Sequence, residues 1–171
     1  MTPHPTGSHF ADADTARQAL QMVLPMIEPQ ISRPAVVGSG FLFIVVMDPA
    51  IRPGDAPFEQ AILLEHAVGD RTRWDADYAA FARAKAKASW EHGLDGSRLQ
   101  ALQPHRLREG DTLLWGAVCL DGIVVGVSGA HAPFDEAFAT AIAGCLRALA
   151  KQRWQQALDS RQLFAGRAAP T

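Results

Sequence analysis

Lys85 interrupts an otherwise apolar stripe, and its placement is the feature of this sequence that most demands a chemical explanation. Trp74, Tyr78, Phe81, Lys85, Ala88 and His92 recur at steps of three and four, the spacing that gathers side chains on one helical face. Arg83, Lys87 and Glu91 fall on the other side. An ammonium among apolar neighbours is costly unless paired. Two readings follow. The side chain runs to the helix edge with its stem on Tyr78 or Phe81, or it pairs with a carboxylate, a ligand or a neighbouring subunit at the rim of a cleft. His92, on the same stripe, is either a hydrogen-bonded core histidine or a member of that cleft.

A second group of chemistry-bearing residues lies later in the chain. His131 stands between Gly129 and Pro133, just ahead of a helix whose first amide groups lack partners within the helix and so favour anions. Its imidazole is either solvated or a ligand to a metal or a haem iron. Asp135 and Glu136 are adjacent, so on a helix they point about 100° apart and cannot face one another as an acid and base pair. As acidic residues of a first turn they complement the helix dipole; ligand or metal binding is the alternative. His66 and His105 have no ligand spacing to each other. The isolated Cys119 and Cys145 read as buried structural thiols. No phosphate-binding glycine loop, nucleophile elbow or His-Glu-x-x-His run is present, and Val37-Gly38-Ser39-Gly40 lacks the spacing of a nucleotide fingerprint.

The elements that must position these residues are marked by local signals. Residues 1–12, rich in Pro, His, Gly and Ser, read as a flexible arm before a single domain over 13–160, with a frayed tail at 161–171. Asp14 is an expected N-cap for a helix whose Ala16, Leu20, Val23, Leu24 and Ile27 share one face, with Pro25 a kink and Pro29 a stop. Phe41 to Asp48 is a continuous apolar run, expected to be a strand covered on both faces. A proline-rich loop over 49–57 leads to a second strand near Glu59 to Val68, and Ser97 to Asp111 reads as an irregular excursion. Two further strands, Leu113 to Leu120 and Ile123 to Val127, flank Asp121-Gly122, a dipeptide suited to a type I′ hairpin turn. The last helix is expected from about Phe134, with Phe134, Phe138, Ile142 and Cys145 inward. A fifth short strand from Ala35 to Val37 or near Leu107 stays open. This order predicts an α/β (α+β) fold with a mainly antiparallel central sheet between helices.

The residues Leu120-Asp121-Gly122, Val125-Gly126-Val127-Ser128-Gly129 and Asp135-Glu136 resemble, in type and spacing, the hairpin, loop and helix start of the GlcG/HbpS-like family, which is also similar to the C-terminal domain of PduO-type proteins. Ala82 to Ala88 resembles that family's A-x-x-K-A-x-T-A helix, with Ala88 where a threonine is usual. The resemblance implies a profilin-like three-layer α/β/α fold and a cleft between the Tyr78 to His92 helix and the Ser128 to Asp135 loop. It also implies a small ligand, with haem or another tetrapyrrole as the leading class, and dimers or higher oligomers; the family pattern does not demand a histidine at position 131, whose reading as an iron ligand rests on its place in the loop. Tyr78, Phe81, Lys85, His92, Ser128, Gly129, His131, Asp135 and Glu136 are the ligand-binding candidates. The 49–57 loop is longer than the family's usual turn.

Bulk properties narrow the classes. Sixteen Lys and Arg against eighteen Asp and Glu give a formal charge of −2, with no basic run to grip a phosphate backbone, so nucleic acid is not an expected partner. Apolar runs are far shorter than the ~20 residues of a membrane span. The first residues lack the pattern of a secretory signal, and a cytoplasmic location is expected. A ligand-binding protein without strong catalysis is the leading expectation; an enzyme of haem degradation or small-metabolite turnover and an oligomeric scaffold anchored by exposed Trp90 or Trp154 are the alternatives.

Overall fold

The computed structural model describes residues 6–166; the first part of the expected arm, residues 1–5, and the end of the expected tail, residues 167–171, lie outside the described residues. The elements are α1 (Ala13–Ile27), β1 (Leu42–Met47), β2 (Ile62–Val68), α2 (Tyr78–His92), α3 (Gly96–Leu102), β3 (Ala117–Leu120), β4 (Ile123–Ser128) and α4 (Ala132–Asp159), with short 3-10 turns between some of them. The strands form one sheet in the order β2-β1-β4-β3, and every pairing is antiparallel. The α/β class expected from the sequence is the class observed.

Composition explains why β1 is central. All of its residues are buried, and successive side chains of a strand point to opposite faces. Leu42, Ile44 and Val46 pack with the buried faces of α1 and α4, while Phe43, Val45 and Met47 pack with Tyr78, Ala79, Ala82 and Ala86 of α2. Helices therefore cover both faces of the sheet. Each large apolar side chain so buried stabilises the fold by about 1.5–3 kcal/mol. The hairpin turn is as predicted: Asp121 and Gly122 have φ of +51° and +84°, both positive as a type I′ turn requires.

Several boundaries differ from the sequence reading. Asp12, not Asp14, caps α1, its carboxylate accepting the Thr15 N–H at 2.9 Å. Arg153 of α4 reaches the same carboxylate at 2.9 Å. Burial raises the Asp12 pKa, but the Thr15 and Arg153 contacts outweigh it and hold the group at about 2. Upstream, the Ser8 N–H donates to the buried carboxylate of Asp48 at 3.0 Å and Ala11 is buried, so residues 8–12 of the expected arm are docked on the domain. The excursion over 97–111 contains α3, two turns of helix that bury Leu99. β3 starts only at Ala117, because Gly116 at φ +143° turns the chain and leaves Leu113 and Leu114 exposed. Neither proposed fifth strand forms: Ala35 to Val37 is a turn and Leu107 follows a 3-10 turn. α4 begins at Ala132, and Phe134, expected inward, is 39% exposed. Trp90 is no exposed anchor, since its indole N–H donates to the Ile51 carbonyl at 2.9 Å and its ring packs edge-on against Phe58; Trp154 is half exposed.

The face by which α2 meets the sheet is made of small residues, and Gly126 of β4 is the reason it can come so close. A Cβ at Gly126 would lie 2.7 Å from the Ala82 carbonyl oxygen and 2.8 Å from the Ala86 Cβ. Neither neighbour can yield without moving the helix. Gly126→Ala is expected to cost about 1–3 kcal/mol in urea unfolding; an unchanged midpoint would show that α2 tolerates displacement from the sheet.

Candidate functional site

The close approach of α2 carries Lys85 into the interior. Its side chain is 5% exposed, and its Nζ donates to Asp135 Oδ2 at 2.8 Å and to the Val127 carbonyl at 3.1 Å. Of the two readings of Lys85, pairing with a carboxylate is the observed one. Asp135 stands in the first turn of α4, which packs on the opposite face of the sheet, and is 1% exposed. Its second oxygen accepts the Ala130 N–H at 2.9 Å. Gly116 makes this meeting possible, because a Cβ there would lie 2.6 Å from Asp135 Cβ and 3.1 Å from the Val127 oxygen. A side chain at position 116 would occupy the space that Asp135 fills.

The pair forms part of the wall of a cavity of about 390 Å³. Seven of the residues singled out in the sequence meet there: Tyr78, Phe81, Lys85, Ser128, Gly129, His131 and Asp135. His92 and Glu136 do not line it, and each instead has a buried side-chain atom, His92 Nε2 and Glu136 Oε2, without a hydrogen-bond partner among the described residues. Ala130 and Ala132, within the loop expected to edge the cleft, complete the lining together with Leu114 and Trp115, which were not foreseen. Leu114 and Trp115 were assigned to a strand; the glycine after Trp115, which ends that extended path, is the signal that marks them as loop.

Local structure fixes the polar groups of the wall. The Tyr78 hydroxyl donates to Asp75 at 2.5 Å, and burial together with that contact raises the phenol pKa. Gly129 has φ of +129°, and a Cβ there would lie 1.9 Å from the Phe41 oxygen, so the turn from β4 toward α4 admits only glycine. His131 is held twice: its N–H donates to the Val36 carbonyl at 3.0 Å, and its Nε2 lies 2.9 Å from the Pro34 carbonyl. A carbonyl can only accept, so Nε2 carries a proton and Nδ1 holds the lone pair of the neutral ring. Any metal or haem iron at His131 would be met by Nδ1. Among the described residues, no group of three or more His, Cys, Asp or Glu is placed to hold a metal ion.

Burial pushes the Asp135 carboxyl up to about 6, against the opposing pull of the Lys85 charge, of the hydrogen bonds from Lys85 and Ala130, and of the His131 charge. No protein-family model matches the chain, and no curated protein matches it at a significant level.

Removing one partner of a buried pair leaves the other charge uncompensated. Asp135→Ala is expected to cost about 3–5 kcal/mol in chemical unfolding, and the joint change of Lys85→Met with Asp135→Leu to cost less than Asp135→Ala alone. A single-variant cost below about 1 kcal/mol would mean that water already reaches the pair. The pH dependence has a definite sign. The folded-state pKa of Asp135 stands above its ordinary 3.8, so its contribution to stability is fully present below about pH 4 and is lost as pH rises through about 6. Asp135→Asn should flatten this part of the stability profile.

Proposed function

We propose that this protein binds a small molecule in the cavity between α2 and the start of α4, as a GlcG/HbpS-like domain of profilin-like topology. The observation that carries the reading is the buried Lys85–Asp135 pair in the cavity wall. Two charges taken out of water are weak contributors to stability, and an apolar pair of similar volume would serve the fold as well or better. A cavity of about 390 Å³ falls within the range of small-molecule sites, which combine apolar walls with a few placed polar groups. Here Tyr78, Phe81, Leu114 and Trp115 supply the apolar wall, and Lys85, Ser128 and His131 the polar groups.

A haem is the second reading, favoured by the apolar rim and by the free Nδ1 of His131. Phe81 and Leu114 are 40% and 51% exposed beside the opening. A tetrapyrrole is larger than the cavity, so most of its ring would lie against this rim. The lining residues thus fit a haem at the mouth and a smaller molecule in the interior.

The two readings separate in one set of measurements on wild type, His131→Ala and Ala132→Trp. The last fills the cavity from the first turn of α4 and leaves the ion pair in place. Thermal unfolding with a panel of small carboxylates, alcohols and amines is expected to show saturable stabilisation of wild type that Ala132→Trp abolishes. A one-to-one Soret change on haem titration, weakened in His131→Ala, with no member of the panel binding, would replace the small molecule by haem.

A further inference from the structure

We infer that the ligand of this cavity is a small monoanion, and that it binds together with one proton, which Asp135 takes up. The inference rests on the cavity being a ligand site, as proposed above, and adds the ligand's charge and its coupling to pH.

Apart from the Nδ1 lone pair of His131, the uncommitted polar groups of the wall are donors. Lys85 has three ammonium protons, of which Asp135 and Val127 take two. Among the described residues, no acceptor meets the backbone N–H of Ala132, the first residue of α4, or the hydroxyl proton of Ser128, which is itself 5% exposed. All three line the cavity. The Tyr78 hydroxyl already donates its hydrogen bond to Asp75. The one anionic group of the wall, Asp135, has each oxygen engaged, by Lys85 and by Ala130. On the side of Lys85, Ser128 and Ala132 the wall therefore offers donors to an oxyanion, with the His131 Nδ1 lone pair the acceptor opposite them.

Charge then sets the condition for binding. Lys85 and Asp135 neutralise each other, so an entering anion would leave a buried net charge of −1 beside a carboxylate. That arrangement is strongly unfavourable, and two close carboxylates relieve it by sharing a proton. Of the other groups around Asp135, His131 is the one that can add positive charge, and its pull together with that of Lys85 still leaves the Asp135 carboxyl raised by burial. α2 contributes Lys85 alone. β4 contributes the uncharged Val127 and Ser128, and the segment before β3 the uncharged Trp115 and Gly116. The turn before α4 contributes His131, and α4 itself adds Glu136, a further negative group. A proton from solvent on Asp135 restores neutrality: its carboxylate becomes a carboxyl, Lys85 turns its charge to the anion, and no bond within the ligand is made or broken. The upward shift of Asp135 to about 6 agrees with this geometry, since near pH 6 about half of the carboxyl is then already protonated.

Acetate is the probe, titrated into the full-length chain and followed by amide chemical shifts, with the Ala130 N–H reporting directly on the Asp135 oxygen it meets. The dissociation constant is expected to rise about twentyfold between pH 5.5 and pH 7.5, as one linked proton with a pKa near 6 requires. Asp135→Asn should bind acetate at pH 7.5 as tightly as wild type does at pH 5.5, with no dependence on pH. Wild-type affinity that is flat across this range overturns the inference, and it does so even if Asp135→Asn fails to fold. If acetate binds at no pH while a neutral molecule or a haem saturates the cavity, the monoanion is wrong and the ligand site stands. If none of the probes binds, both readings fall.

Discussion

The contact between Lys85 and Asp135 joins helices that pack on opposite faces of the sheet, and the local geometry around it is arranged to let that contact form. Two ions withdrawn from water need good geometry and full hydrogen bonding to recover their desolvation cost. The protein supplies both: Val127 and Ala130 satisfy the remaining groups, and Gly116 vacates the space that the carboxylate fills. The contact forms where β4 ends and the chain before β3 turns away, so it lies between layers that the sheet would otherwise separate. The cavity opens at the same place, because the sheet no longer fills the gap between α2 and the start of α4.

Reach is controlled by small residues. Lys85 can touch the Val127 carbonyl because Ala82 and Ala86 rest on Gly126, with no side chain holding α2 away from β4. The apolar stripe of this helix is divided between the sheet and the cavity: Tyr78 is buried against the sheet beside Ala82 and Ala86. Phe81, on that stripe, is 40% exposed and lines the cavity instead of filling the core. Large residues of α2 thus shape the site, while its alanines set the distance to the sheet.

This division explains what could be read from the chain and what could not. β1, the hairpin turn and the core-facing residues of α1 follow from local chemistry: an unbroken apolar run, a dipeptide that accepts positive φ, and a helical period. The partner of Lys85 does not, because Asp135 lies 50 residues away in sequence and its adjacency depends on the placement of α4 across the sheet. Asp135 and Glu136 look alike as acidic residues of a first turn; only tertiary placement aims the first at Lys85 and the second elsewhere. The strand boundary at Ala117 was missed because Leu113 to Trp115 are as apolar as a strand, and the backbone turn at Gly116 overrides that composition. The docking of residues 8–12 depends on the buried carboxylate of Asp48, distant in sequence and silent in any local pattern.

The start of α4 shows how the helix and the ion pair share one electrostatic task. Pro133 has no N–H, and the Phe134 and Asp135 amides both donate to the His131 carbonyl. Of the first amides of α4, that of Ala132, a lining residue of the cavity, is the one left without a carbonyl partner among the described residues. The positive end of the helix is therefore spent largely on its own first turn and on the Asp135 carboxylate placed within it. What the cavity can offer a negatively charged group is then governed by Lys85, and the charge of Lys85 is available only to the extent that Asp135 gives it up. The carboxylate that stabilises the lysine in the folded chain is also the group that competes with any anion for it.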